Sequence, residues 1–120
     1  MRMRQAIGRH GEDLAARYVA NQGWRVLDRN WWGSSGELDL VALDEEEDQL
    51  VGIEVKTRRS LAFGDPAEAV TPTKAARVRR LTAQWLAAHD VRCDSVRVDV
   101  ITVMLPTSGP PDLRHIVGVL

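Results

Sequence analysis

Asp39, Glu54 and Lys56 are charged residues set inside apolar runs, and their types suit the holding of a divalent cation and of a water beside a phosphate. They lie in two alternating segments, Gly-Glu-Leu-Asp-Leu-Val-Ala-Leu-Asp from residue 36 and Leu-Val-Gly-Ile-Glu-Val-Lys-Thr-Arg from residue 50, separated by an acidic stretch from Asp44 to Asp48. Apolar alternation on both sides of a charged tip predicts a β-hairpin. With the turn symmetric about its centre, Asp44 faces Gln49, Leu43 faces Leu50, Val41 faces Gly52, Asp39 faces Glu54 and Glu37 faces Lys56. Opposed residues have Cβ atoms roughly 4.5–5.5 Å apart, so this register gathers Asp39, Glu54 and Lys56. The period of two puts Glu37 with Asp39, and Glu54 with Lys56, on shared faces.

Two opposed carboxylates within apolar strands repel each other and are costly to bury. A hard cation such as Mg²⁺ resolves the conflict by taking one or two carboxylates together with phosphate oxygens and water. A lysine two residues further on would then touch the attacking water or the phosphate. The plainer alternative is that Lys56 neutralises Glu37 or Glu54 at a sheet edge. Three charged residues matched in facing across two consecutive strands favour the metal site.

The remaining elements must position this hairpin. Residues 5–22 read as a helix, with Gly8, Glu12, Ala15, Ala16 and Val19 on one face, Ile7, Leu14 and Tyr18 on the next, and Gly23 as its C-terminal cap. Glu12 is either a surface carboxylate that anchors an arginine or a third acidic group near the metal. Residues 24–31 read as a strand, and Trp31 to Gly36 as a loop whose tryptophans either stack on bases or cover one end of the core. Residues 60–72, with Gly64, Pro66 and Pro72, read as a loop. Thr71 and Pro72 then open a second helix as N-cap and first residue. Its arginines, Arg77, Arg79 and Arg80, form a solvated surface or contact phosphates if that face borders the acidic site, and Lys74 lies on the inner face. Residues 96–104 are a β-branched strand and 113–120 a short returning one. Asp99 is a candidate fourth acidic neighbour.

The order α-β-β-β-α-β-β predicts an α/β domain over residues 1–120, a mixed sheet of about five strands flanked by helices, with a parallel crossover through the second helix. The 120-residue length suits one core. No apolar run reaches the ~20 residues that span a bilayer, and the basic N-terminus lacks the apolar segment of a secretory signal. Cys93, the single cysteine, forms no internal disulfide, so a reducing cytoplasm is expected. A net charge of −1 argues against a strongly electrostatic nucleic-acid binder, although basic residues gather between Arg58 and Arg80. His10, His89 and His115 have no ligand spacing, which excludes zinc and a catalytic triad from expectation. There is no P-loop and no dinucleotide fingerprint.

Asp39, fourteen intervening residues and Glu54-Val55-Lys56 resemble the PD-(D/E)XK nuclease signature, with Leu38 where that signature has proline. More narrowly, the chain resembles the YraN-like family of small bacterial endonucleases. The matching stretches are Gly11-Glu12, Arg29-Asn30, Gly36 to Asp39, Glu54 to Arg58, Phe63 to Val70, and Lys74. The resemblance implies a restriction-endonuclease-like fold, as in archaeal Holliday-junction resolvases. It also implies a Mg²⁺ or Mn²⁺ site formed by Asp39, Glu54 and the Val55 carbonyl. Lys56 would orient the attacking water, Glu12 would assist the metal, and Arg29, Thr57, Arg58 and Lys74 would contact the substrate. The expected activity is hydrolysis of phosphodiester bonds in DNA, recognised by shape, with a two-fold dimer as the simplest way to cut both strands. The competing readings are a non-catalytic DNA- or protein-binding module on the same fold, and an RNA-processing nuclease.

Overall fold

The computed structural model describes residues 3–60 and 70–119. Helix α1 (Met3–Asn21) is followed by strands β1 (Arg25–Gly33), β2 (Gly36–Asp44) and β3 (Gln49–Arg58), helix α2 (Pro72–Ala88), and strands β4 (Ser95–Met104) and β5 (Asp112–Ile116). One sheet holds the five strands in the order β1-β2-β3-β4-β5. Neighbours pair antiparallel except β3 and β4, which run parallel from Gln49↔Ser95 to Arg58↔Met104 without a break. This is the mixed α/β sheet with flanking helices that the sequence predicts, and it is consistent with a restriction-endonuclease-like fold.

Each face of the sheet carries one helix, which is why β2, β3 and β4 read as nearly continuous apolar runs. Ala15 and Val19 of α1 pack on Leu40, Ala42, Val51, Ile53, Ile101 and Val103. Val78, Leu81 and Trp85 of α2 pack on Leu38, Val41, Leu50 and Val98 of the opposite face. Two glycines bring the helices close. A Cβ on Gly11 of α1 would collide with Thr57, and one on Gly52 of β3 would collide with Thr82 of α2. Both contacts fall on β3, so that strand is gripped from both sides.

Several boundaries differ from expectation. Trp31 and Trp32 belong to β1, which runs on to a Gly33↔Gly36 pair closing a tight turn at Ser34-Ser35. Gln84 of α2 holds that turn, accepting the Ser34 N–H (3.0 Å) and donating to Ser34 Oγ (2.6 Å). The last strand ends at Ile116, short of Leu120. Thr71 caps α2 as expected, accepting the Lys74 N–H. Most of the expected 60–72 loop, with the Phe63 to Ala69 part of the family-like stretch, lies outside the described residues.

Candidate metal centre

The β2–β3 pairs Asp44↔Gln49, Leu43↔Leu50 and Val41↔Gly52 are those expected, but the ladder ends at Leu40↔Ile53. Asp39 and Glu54 therefore do not form the opposed pair that the symmetric turn implies, nor do Glu37 and Lys56. The physical cause lies at Asn30 and Asp39. Pairing between β1 and β2 steps from Arg29↔Leu40 to Trp31↔Leu38 and passes over both residues. Asn30 has φ +52°, a left-handed conformation that asparagine tolerates better than most residues. Leu38 and Leu40, two apart, consequently pack on opposite faces of the sheet. The break turns Glu37 to the α1 face and sends the Asp39 side chain toward β3, where it accepts the Val55 N–H at 2.8 Å.

Three carboxylates meet there. Glu12 of α1, Glu37 and Asp39 each offer an oxygen, all within 4.8 Å of one another. The Asn30 amide binds two of them, donating to Glu12 Oε2 at 2.8 Å and to Glu37 Oε1 at 2.7 Å. Burial pushes the Asp39 carboxyl up to about 7. The Val55 N–H opposes this, and the charges of Glu12, Glu54 and Glu37 add to it. A cluster of hard oxygens in which the ionisation of Asp39 is disfavoured fits a divalent cation, whose charge relieves both burial and repulsion.

Glu54 stands outside this group. Its carboxylate, 13% exposed, meets Arg77 Nη2 at 3.3 Å and Lys56 Nζ at 3.6 Å. Arg77, rather than Lys74, is thus the α2 cation that reaches the hairpin. Beside the acidic group an open cleft of about 480 Å³ is lined by Ile7, Gly8, Glu12, Val55, Lys56, Thr57, Arg58, Arg59 and Ser60. Thr57 and Arg58 border it, with Thr57 seated against Gly11. Arg29 turns instead to Asp13 on α1, at 2.7 Å.

Asp99 is not a fourth member. It is fully buried and is held by Arg97 (2.9 Å), His115 Nε2 (2.7 Å) and the Gly118 N–H (3.0 Å). Burial works to raise its pKa, but the hydrogen bonds from His115, Arg97 and Gly118 outweigh it and hold the carboxyl below its ordinary value. His115 passes the network on to the Tyr18 hydroxyl, 3.0 Å from Nδ1.

Sequence reasoning missed Glu37 as a ligand candidate, Asn30 as the bridge and Arg77 as the partner of Glu54. A signal existed for the first: Glu37 and Asp39 stand two apart in one strand, as Glu54 and Lys56 do. None existed for Arg77, whose approach depends on how α2 docks.

Among the described residues no helix is long and apolar enough to cross a membrane. The model of the family described as "Uncharacterised protein family UPF0102" matches residues 11–103. A UPF0102 protein of Beutenbergia cavernae is 51% identical over 119 residues, covering 99% of each chain. One from Arthrobacter sp. is 50% identical with the same coverage, and one from Frankia casuarinae is 52% identical over 118 residues, 98% of each chain. With its acidic residues at the meeting point of α1, β2 and β3 and near-complete matches to these relatives, the chain belongs to UPF0102, the YraN-like family.

Proposed function

We infer that the protein is a metal-dependent endonuclease that hydrolyses phosphodiester bonds in DNA. The observation that carries this reading is the convergence of Glu12, Glu37 and Asp39 within 4.8 Å, beside Glu54-Val55-Lys56 and a cleft lined by Lys56, Arg58 and Arg59.

Glu12, Glu37 and Asp39 would hold a Mg²⁺ or Mn²⁺ ion, and Glu54 with the Val55 carbonyl is the further donor pair that the signature assigns to it. What such an ion supplies when bound is polarisation of a phosphoryl oxygen and acidification of water. The Val55 N–H aims the Asp39 carboxylate, and the Asn30 amide bridges Glu12 and Glu37 and orients them, as hydrogen bonds to metal ligands commonly do. Lys56, tethered by Glu54, offers its ammonium to the attacking water or to the charge that grows on the phosphate. Arg58 and Thr57 follow the DNA backbone along the cleft. Lys74, at the start of α2, is a further phosphate contact, and two copies of the chain would cut opposite strands.

The test is cleavage of duplex, single-stranded, flapped and four-way-junction DNA, with RNA counterparts, in Mg²⁺, Mn²⁺ or EDTA. Metal-dependent cutting that Asp39→Ala and Lys56→Ala abolish in folded protein is the expected outcome. DNA binding indifferent to metal and to Asp39, without cutting, would assign the chain to a non-catalytic binding module.

A further inference from the structure

Trp32 is the most exposed large hydrophobic side chain among the described residues, at 70%. Its neighbours in β1 turn the other way: Trp31 packs with the α2 core, and Gly33 faces Leu81 and Gln84. Trp32 pairs with Glu37 in the β1–β2 register, and opposed residues project on the same face of a sheet. Glu37 lies on the α1 face within the acidic group, so the indole stands beside that group. The hairpin that carries it is fixed to α2 by the two Ser34–Gln84 hydrogen bonds. An indole held in water on a braced turn is a preorganised flat surface, and its burial in the folded chain contributes little.

We propose that Trp32 is a substrate-binding residue that stacks on an unpaired nucleobase next to the phosphate held at the acidic group. The inference rests on the nuclease reading and adds a substrate class to it: DNA with at least one unstacked base at the cleavage position, such as a fork, flap or strand end. Every base offers a π-face, so the contact is tolerant of sequence. A fully paired duplex buries its base faces in its own stack and leaves Trp32 without a partner. The cleft lined by Glu12, Lys56 and Arg58 takes the backbone, and Trp32 is not among its lining residues, so base and phosphates are received at separate places.

The experiment measures binding with Ca²⁺ in place of Mg²⁺, a hard cation that can join the carboxylates to a phosphate, and gels verify that the probes stay intact. The probes are a forked DNA carrying 2-aminopurine at the first unpaired position and a fully paired duplex of the same sequence. Wild type, Trp32→Ala, Trp32→Phe and Asp39→Asn are compared, with thermal melts to verify folding. We expect the fork to bind more tightly than the duplex and its 2-aminopurine to be quenched. Trp32→Ala should weaken fork binding about tenfold and abolish the quench, leaving duplex binding within twofold. Trp32→Phe should keep most of the fork affinity, and Asp39→Asn should weaken fork and duplex alike, because both present a phosphate to the acidic group. Equal losses on fork and duplex, or no loss on either, would overturn the stacking role while leaving the nuclease reading to its cleavage test. Failure of the wild type to bind any DNA would overturn both. Sedimentation in which Trp32→Ala turns a dimer into a monomer without affecting the quench would assign the indole to an interface between copies, against the proposal.

Discussion

The carboxylate of Asp39 accepts the Val55 N–H at 2.8 Å, just past the point where β2 and β3 stop pairing. A side chain thus serves where a main-chain carbonyl would continue the ladder, and the strand partner is kept without the strand pairing. The arrangement leaves the carboxyl buried among other acids, with its pKa pushed up to about 7 against an ordinary 3.8.

That displacement fixes a pH dependence. Between about 4 and about 7 the folded state keeps a proton on Asp39 that the unfolded chain has lost. Stability of the metal-free protein therefore falls as pH rises through this window and levels off above it. The loss is on the order of 4 kcal/mol, at about 1.4 kcal/mol for each unit of displacement. Asp39→Asn retains an acceptor for the Val55 N–H and should flatten the curve. Urea denaturation from pH 4 to pH 8.5 measures it. In the same range Mn²⁺ affinity should rise with pH in the wild type, because binding expels the proton.

Asn30→Ala removes the amide that ties Glu12 to Glu37 and leaves two carboxylates facing each other. Mn²⁺ affinity measured by calorimetry should drop about 10-fold or more, as when an outer-shell partner is removed. Folding stability should also fall, by an amount on the order of 1 kcal/mol. Asn30→Gly relieves the backbone at φ +52° but not the lost bridge, so it should lose affinity while recovering part of the stability.

Lys56→Met should lower metal-dependent cleavage by roughly 10²–10³-fold, the scale of losing one group that meets transition-state charge. Mn²⁺ binding should change far less, because the lysine pairs with Glu54 and not with the three clustered acids. A variant that lost Mn²⁺ binding and cleavage together would place Lys56 in the support of the ligands.

Gly52→Ala drives a methyl group into Thr82, itself buried and bonded through Oγ1 to the Val78 carbonyl at 2.7 Å. Destabilisation of about 1–3 kcal/mol is expected from such overpacking. Thr82→Ala removes Oγ1, the nearest obstacle, and Cγ2, leaving only the Thr82 Cβ at 2.9 Å to be eased aside. The double variant should therefore be more stable than the sum of the single changes implies, which a double-mutant cycle in urea reads directly.

Asp99→Ala strips the shared acceptor from Arg97 and His115 within the core. The expected cost is roughly 3–5 kcal/mol, the range for breaking a buried charged pair. Because the carboxyl sits below its ordinary value, the stability that it contributes is fully present above about pH 4 and is lost as pH falls through its folded pKa. Acid unfolding should accordingly begin at higher pH in the variant's Asp99→Asn counterpart than in the wild type, as followed by circular dichroism.

The strands, both helices and the register at the β2–β3 turn were legible because each follows from a local rule. Apolar alternation marks Leu38 to Leu43 and Leu50 to Val55, and the acidic tip sets Leu43 opposite Leu50. What alternation cannot carry is a change of phase. With a left-handed Asn30 and a skipped Asp39 between them, Leu38 and Leu40 pack on opposite faces, and with Leu38 turned to α2 its neighbour Glu37 faces α1 and Glu12. Trp31 to Gly33 resembled a loop because serines and glycines follow them, yet the turn needs only Ser34 and Ser35. Arg77 and Arg29 were ambiguous for a different reason: their partners, Glu54 and Asp13, are chosen by helix docking, which no spacing encodes.

The parallel seam between β3 and β4 also divides the molecule by the order in which it can assemble. Strands β1 to β3 form a meander of sequence neighbours, whereas Gln49 must find Ser95 across the whole of α2 before the seam exists. Contacts between near neighbours in sequence form at small cost in chain entropy, and distant ones come late. Asp39 and Val55 belong to the early half, and the Arg77 that restrains Glu54 arrives only with the late one. The nascent chain would thus present its acidic hairpin to solvent ions before the crossover closes over the opposite face.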